Sequence, residues 1–181
     1  MTRIYIDADA CPVIREALAC ARARNIPCVI AGNSTQNLER RLRPHDPRSP
    51  KDPCHPDRGF WVEILQVGIG ADAADFAIAS AVTPADVVVT QDIGLADIVL
   101  GRGARAIGVR GRIYNPLTID SAMFIRHEEK KLRRAGGRTS GPAAFTEEDR
   151  DRFRRNLASL VTKALEETET SGPQAELPQR Y

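Results

Sequence analysis

The stretch "IYIDADACPVIREALACARARNIPCVIAGN", residues 4–33, decides the fold. Residues 3–6 (RIYI), with an aromatic between two β-branched residues, predict a strand, and residues 26–31 (IPCVIA) predict a second. Between them the apolar residues recur at helical spacing from Pro12 to about Ala23, with the proline suited to a first helical turn. A strand, a helix and a strand in succession predict a βαβ unit, whose strands run parallel because a crossover helix returns the chain to the same end.

Working outward, the unit repeats. WVEILQV (61–67), DVVVT (86–90) and ARAIGV (104–109) predict three more strands, and ADAADFAIASAV (71–82) and IGLADIVLG (93–101) predict the helices between them. Ser34 is placed to cap a short helix running to Leu42. Two further helices are expected from Thr118 to about Arg134 and from Glu147 to about Glu167, the second begun by Thr146 with Asp149 as a near capping box. The fold class is therefore α/β, a three-layer sandwich with a mostly parallel sheet of about five strands. Residues 1–167 form one domain, and the polar stretch 168–181 lacks a core face and is expected to be disordered. Prolines at 44, 47, 50, 53 and 56 deny residues 43–59 a helix and mark an inserted loop, read either as a tolerated surface insertion or as a basic flap over the substrate.

The polar residues gather at one place on this frame. Asp7 and Asp9 follow the first strand, Asn33 the second, Asp72 and Asp75 the third, Thr90 and Asp92 the fourth, and Arg110 and Arg112 the fifth. In an open parallel sheet the carboxyl ends face one crevice, so segments distant in sequence converge there. Any one of these aspartates alone reads as a helix N-cap. Clustered, two carboxylates about 4 Å apart repel by roughly 4 kcal/mol at an effective dielectric of 20, a cost that a divalent cation removes. An all-oxygen donor set selects a hard ion, Mg²⁺ or Mn²⁺, and points to phosphate chemistry.

Three chemistries compete for these residues. "GIGADA" (68–73) imitates a dinucleotide fingerprint, but Asp72 sets a negative charge at the helix start where a pyrophosphate would sit. "IYIDADACPV" offers the D-x-D of a haloacid-dehalogenase-like phosphatase, with Ser34, Asp92 and Asp97 as later motifs. The only lysine between Ser34 and Asp92 is Lys51, in the proline loop, so that chemistry lacks its cation. A metal-dependent nuclease needs only the acidic cluster and basic residues for the phosphate backbone.

Five ordered motifs, "IYIDADACPV", "GADAADFAIA", "VVVTQDIGLA", "VRGRIY" and "GPAAFTEEDRDRF", resemble the YaiI/YqxD family of bacterial proteins, grouped with the PIN-like fold, over residues 3 to about 165. The resemblance implies a PIN-like α/β sandwich whose best-known members are ribonucleases with a carboxylate-held Mg²⁺ or Mn²⁺. It places Asp7 on the first-strand acidic position, Asp72 or Asp75 on the middle one and Asp92 on the late one, with Asp9 in the family's own D-A-D motif. The proline loop is longer than the family pattern.

The expectation is thus a metal-dependent phosphodiesterase acting on single-stranded RNA. Its catalytic residues are Asp7, Asp9, Asp72 and Asp92, its metal ligands Asp7, Asp72, Asp75 and Asp92, and its substrate contacts Asn33, Thr90, Arg110, Arg112, Arg126, Arg133 and Arg134. The alternative is a noncatalytic RNA-binding or adaptor protein that keeps an acidic crevice. Formal net charge is only +2, so an anionic partner must be met by a local basic patch. The run 126–138 (RHEEKKLRRAGGR) reads as a solvated helix face or an RNA track. Cysteines 11, 20, 28 and 54 show no zinc spacing, Cys11 reads as packing and not as an acidified thiol, and Phe60 and Trp61 read as core. With no export signal and no apolar run long enough to span a bilayer, a cytoplasmic location is expected.

Overall fold

The computed structural model describes residues 1–9, 11–48, 59–68, 70, 72–134 and 143–170, with the side chains of 126, 127, 129, 130 and 132–134 left aside. Five strands, β1 (Ile4–Asp7), β2 (Cys28–Asn33), β3 (Val62–Val67), β4 (Val87–Val89) and β5 (Arg105–Ile107), form one sheet in the order β3-β2-β1-β4-β5. Every ladder is parallel. The five α-helices are α1 (Ile14–Ala23), α2 (Ala73–Ala81), α3 (Ile93–Gly101), α4 (Pro116–Arg134) and α5 (Glu147–Thr170).

Both faces of the sheet are covered, and the side-chain alternation of the strands divides the core in two. Ile4, Ile6, Cys28, Ile30, Val87, Val89 and Ile107 pack with α1 and with Phe153, Leu157 and Val161 of α5. Tyr5, Val29, Val88 and Ala106 point the other way, onto Ile78 of α2, Leu95 and Val99 of α3 and Ile119 of α4. This is the expected three-layer sandwich. Trp61 is buried, and Phe60 packs half-buried against the core, as the sequence predicts.

Several boundaries move. Strands β1 and β2 run one and two residues further than expected, so Asp7 and Asn33 end strands and do not begin loops. The helix expected over 34–42 is reduced to a 3-10 turn, Leu38–Arg41. Helix α4 starts two residues early at Pro116, a residue pre-set for a first helical position. Thr168–Thr170, expected in the disordered tail, complete α5, while residues 171–181 lie outside the described residues, as does 49–58 of the proline loop. The capping box forms: the Asp149 N–H donates to Thr146 Oγ1 (3.1 Å), and the Thr146 N–H donates to Asp149 Oδ2 (3.1 Å).

The loop after β5 is strapped to α5. Asn156 Nδ2 donates to the Gly111 carbonyl (2.7 Å) and Arg152 Nε to the Arg110 carbonyl (2.7 Å). Gly111 has φ +80°, and a Cβ there would stand 2.7 Å from backbone atoms of Arg152 and Phe153. Both the positive φ and the close approach exclude a side chain. Gly111→Ala is expected to cost about 2–3 kcal/mol of stability, read as a lower midpoint in urea at unchanged slope.

Candidate functional site

The chain lays β1, β2 and β3 outward on one side and then returns to place β4 on the other side of β1. At that switch the loops leaving β1 and β4 part and open a crevice at the carboxyl ends of the strands. Its volume is about 320 Å³, and its described lining includes Asp7, Asp9, Asn33, Asp72, Asp75 and Asp92, with Gln91, Gly70, Ala73 and Ala74. No lysine or arginine stands among those lining residues.

Each aspartate reaches the crevice by a different local device. Asp7 closes β1 and is 6% exposed. Its Oδ2 accepts from Thr90 Oγ1 (2.8 Å) and its Oδ1 from the Asp9 N–H (3.1 Å). Thr90 is fully buried below it, and its hydroxyl also accepts from the Asp92 N–H (2.9 Å), so one side chain fixes the ends of both central strands. Asp92 caps α3, accepting from Gly94 N (2.6 Å) and Leu95 N (3.4 Å). Asp9 is exposed and held by the Gln36 amide. Asp72 occupies the N-cap position of α2 in a left-handed conformation (φ 63°) and makes no capping hydrogen bond, so the simple capping role does not account for it. Asp75, in the first turn of α2, faces back into the crevice.

The electrostatics follow from this crowding. Burial, then the negative charges of Asp7, Asp92, Asp72 and Asp9, push the Asp75 carboxyl up to about 6. Burial also raises Asp7, against the lowering effect of the Thr90 and Asp9 hydrogen bonds. The donor set is oxygen-only and carries excess negative charge, which fits a hard divalent cation. Among the described residues, however, no group of three or more His, Cys, Asp or Glu is arranged to hold an ion. The donor chemistry fits, and a cation held here would complete its shell with water or substrate oxygens, as Mg²⁺ does readily.

The other expected site residues divide between the crevice and places away from it. Asn33 lines the crevice, and its Oδ1 accepts from Thr35 N (3.0 Å). Arg110 is not among the lining residues: it pairs with Asp149 and donates to the carbonyls of Ala143 and Ala144 (3.2 Å for the second), which binds the β5 loop to the start of α5. Arg112 is exposed, with its guanidinium 5.9 Å from the Tyr114 ring centroid, and is also away from the lining. Arg126, Arg133 and Arg134 sit on α4, with side chains outside the description. Burial pushes the Cys11 thiol up to about 12, so Cys11 is packing and not a nucleophile. Gln36 lies outside every quoted motif, and Gln91 lies inside VVVTQDIGLA, where Thr90 and Asp92 carry the reading, so neither glutamine is singled out by the sequence.

Thr90 offers a direct check on this framework. Thr90→Val keeps the shape but leaves the Asp7 carboxylate and the Asp92 N–H without their buried partner, and is expected to cost about 1–3 kcal/mol in chemical denaturation.

Comparison with known proteins places the chain. The family described as "Uncharacterized BCR, YaiI/YqxD family" matches residues 52–163. A UPF0178 protein of Caulobacter sp. (strain K31) is 39% identical over 164 residues, 91% of this chain and 97% of that protein. A UPF0178 protein of Staphylococcus saprophyticus is 34% identical over 169 residues, 93% of this chain and 99% of that one. One of Vibrio vulnificus (strain CMCP6) is 36% identical over 163 residues, covering 89% and 97%. No solved structure matches. Among the described residues no helix is long and apolar enough to cross a membrane. From the first strand to the last helix, the chain belongs to the YaiI/YqxD family.

Proposed function

We propose that the protein is a divalent-metal-dependent phosphodiesterase acting on single-stranded RNA. The observation that carries this reading is the convergence of five aspartates from β1, α2 and the β4–α3 junction on one crevice at the switch point of a parallel sheet. Such crowding raises the energy of the empty site, and a cation is the ligand that relieves it. Asp7, Asp72, Asp75 and Asp92 are the residues to hold it, and Asp9 flanks them. When bound, Mg²⁺ or Mn²⁺ supplies the positive charge that activates water and offsets the charge developing on a phosphodiester.

The chain's own contribution is orientation. The Thr90 hydroxyl and the Asp9 N–H fix both oxygens of Asp7, so its carboxylate enters the crevice without rotamer freedom to lose. The N-terminal amides of α3 hold Asp92 Oδ1 and so set its carboxylate at the mouth of the crevice. In the metal-free crevice Asp75, raised to about 6 by burial and the neighbouring carboxylates, accepts a proton near neutrality, and a cation would compete with that proton for the same oxygens.

A noncatalytic RNA-binding or adaptor role is the second reading, favoured by the lack of a ready-made three-ligand group among the described residues. One assay separates the two. Purified protein with Mn²⁺ is expected to cleave a labelled single-stranded oligoribonucleotide, and EDTA to stop it. A metal-induced rise in melting temperature with no cleavage of any RNA would leave the noncatalytic reading standing.

A further inference from the structure

An acidic crevice with no basic residue in its described lining repels the polyanion it is proposed to cut, and a net charge of +2 supplies no general attraction. The attraction has to come from a neighbouring surface. Beside the crevice lies a hollow of about 440 Å³ lined by Ala8, Cys11, Gln36 and Arg41 among others. Gln36 joins the two, because its amide bonds Asp9. Arg41 in turn also lines a third hollow of about 310 Å³ between α1 and the 3-10 segment, together with Arg15, Arg22, Arg40 and Arg43.

Four of these arginines differ from those held in ion pairs. Arg22, Arg48, Arg105, Arg110, Arg150, Arg152 and Arg154 are committed to carboxylates. Arg15, Arg40, Arg41 and Arg43 are exposed, and among the described residues none of their guanidinium groups forms an ion pair or hydrogen bond, although the Arg43 charge helps lower the Asp46 carboxyl. Four uncommitted guanidinium groups in one groove cost self-repulsion, which bound phosphates relieve, and their planar forks match phosphate oxygens.

We propose that this groove is the phosphate-backbone track for single-stranded RNA, which runs from Arg15, Arg40 and Arg43 past Arg41 and the Cys11–Gln36 hollow into the acidic crevice. The assignment rests on reading the crevice as a phosphodiester-cleaving site, and it moves strand binding from Arg110 and Arg112 to the α1 side of the crevice. Recognition by such a track is indifferent to base sequence, because phosphate contacts carry no sequence information.

The test is fluorescence anisotropy of a labelled single-stranded oligoribonucleotide with the full chain in EDTA, so that binding is read without cleavage. For four neutralised phosphates the wild-type affinity should fall roughly fifty-fold between 50 and 200 mM salt. Arg15→Gln/Arg40→Gln/Arg41→Gln/Arg43→Gln should lose at least about tenfold at the lower salt and most of the salt dependence. The pair Arg40→Gln/Arg41→Gln should lose an intermediate amount should the quadruple variant fold poorly. Arg102→Gln/Arg155→Gln, two exposed arginines outside these hollows, should bind as wild type. The assignment is overturned if wild type binds no RNA, if the groove variants bind as wild type, if the control pair loses as much, or if polyglutamate binds more tightly than RNA. Cleavage with Mn²⁺ is scored separately. Cleavage with unchanged KM in the quadruple variant removes the track and leaves the nuclease, whereas arginine-dependent binding with no cleavage by wild type removes the nuclease and leaves the track.

Discussion

Asp7→Asn is expected to reduce Mn²⁺-supported RNA cleavage on the order of a thousandfold or more while leaving the protein folded. The amide keeps the size of the carboxylate, so the buried end of β1 still fills its space. One amide oxygen still accepts from the Asp9 N–H or from Thr90, and the Thr90 hydroxyl can rotate to accept where it had donated. What disappears is the full negative charge at the most fixed point of the crevice, and a dipole does not hold a hard cation in its place. Turnover and melting temperature, measured on one preparation, check the claim. A variant that melts like wild type and cleaves like wild type would remove Asp7 from the chemistry. In a noncatalytic protein the same change would only relieve repulsion and raise the melting temperature.

Metal-free protein is expected to lose stability as the pH rises from about 4 to about 6, and saturating Mn²⁺ to restore it. The sign follows from the acidic cluster. Asp75 has its carboxyl raised from 3.8 to about 6, and Asp7 is also raised, so between those limits the folded chain binds more protons than the unfolded one. Stability then falls with rising pH, and the penalty is complete above about 6. Discounted for solvent screening at a half-buried carboxyl, Asp75 accounts for about 1–2 kcal/mol. Asp75→Asn should accordingly raise the metal-free melting temperature by about 3–6 °C at pH 7.5 and give no advantage at pH 4. Asp46 and Asp149 are shifted the other way, Asp46 chiefly by its Arg22 hydrogen bond and Asp149 by its Thr146 hydrogen bonds with Arg110 and Arg152, and lose their contribution only in stronger acid. They do not oppose the trend between 4 and 6. A cation present at a thousandfold excess over its Kd adds about 4 kcal/mol, and EDTA removes it. This metal effect should shrink at pH 5, where protons compete for the same oxygens. A melting temperature indifferent to Mn²⁺ at pH 7.5 would remove the metal from the proposal.

The parallel α/β architecture was legible because its strands, buried on both faces, leave near-continuous apolar runs, and because helical periodicity between them leaves one topology class. The acidic crevice was legible for the same reason: once the strands are parallel, Asp7, Asp9, Asp72, Asp75 and Asp92 must follow carboxyl ends, which lie together. Thr146 and Asp149 were legible as a capping box because the motif is local.

What the sequence could not assign was which polar side chain is already engaged. Arg110 and Arg41 look alike as residue types, yet Arg110 is committed to Asp149, thirty-nine positions away, while Arg41 lies in a groove without a carboxylate partner among the described residues. Likewise Thr90 reads as a capping residue or a ligand contact, and only the packing of β4 beside β1 makes it the buried link between Asp7 and Asp92. Periodicity and spacing are set by the backbone's own geometry and survive in a one-dimensional string. Ion pairs and buried hydrogen bonds join residues that meet only after strands are ordered in a sheet, so the sequence determined the scaffold and the acidic rim, and the tertiary structure decided which charges were left free to act.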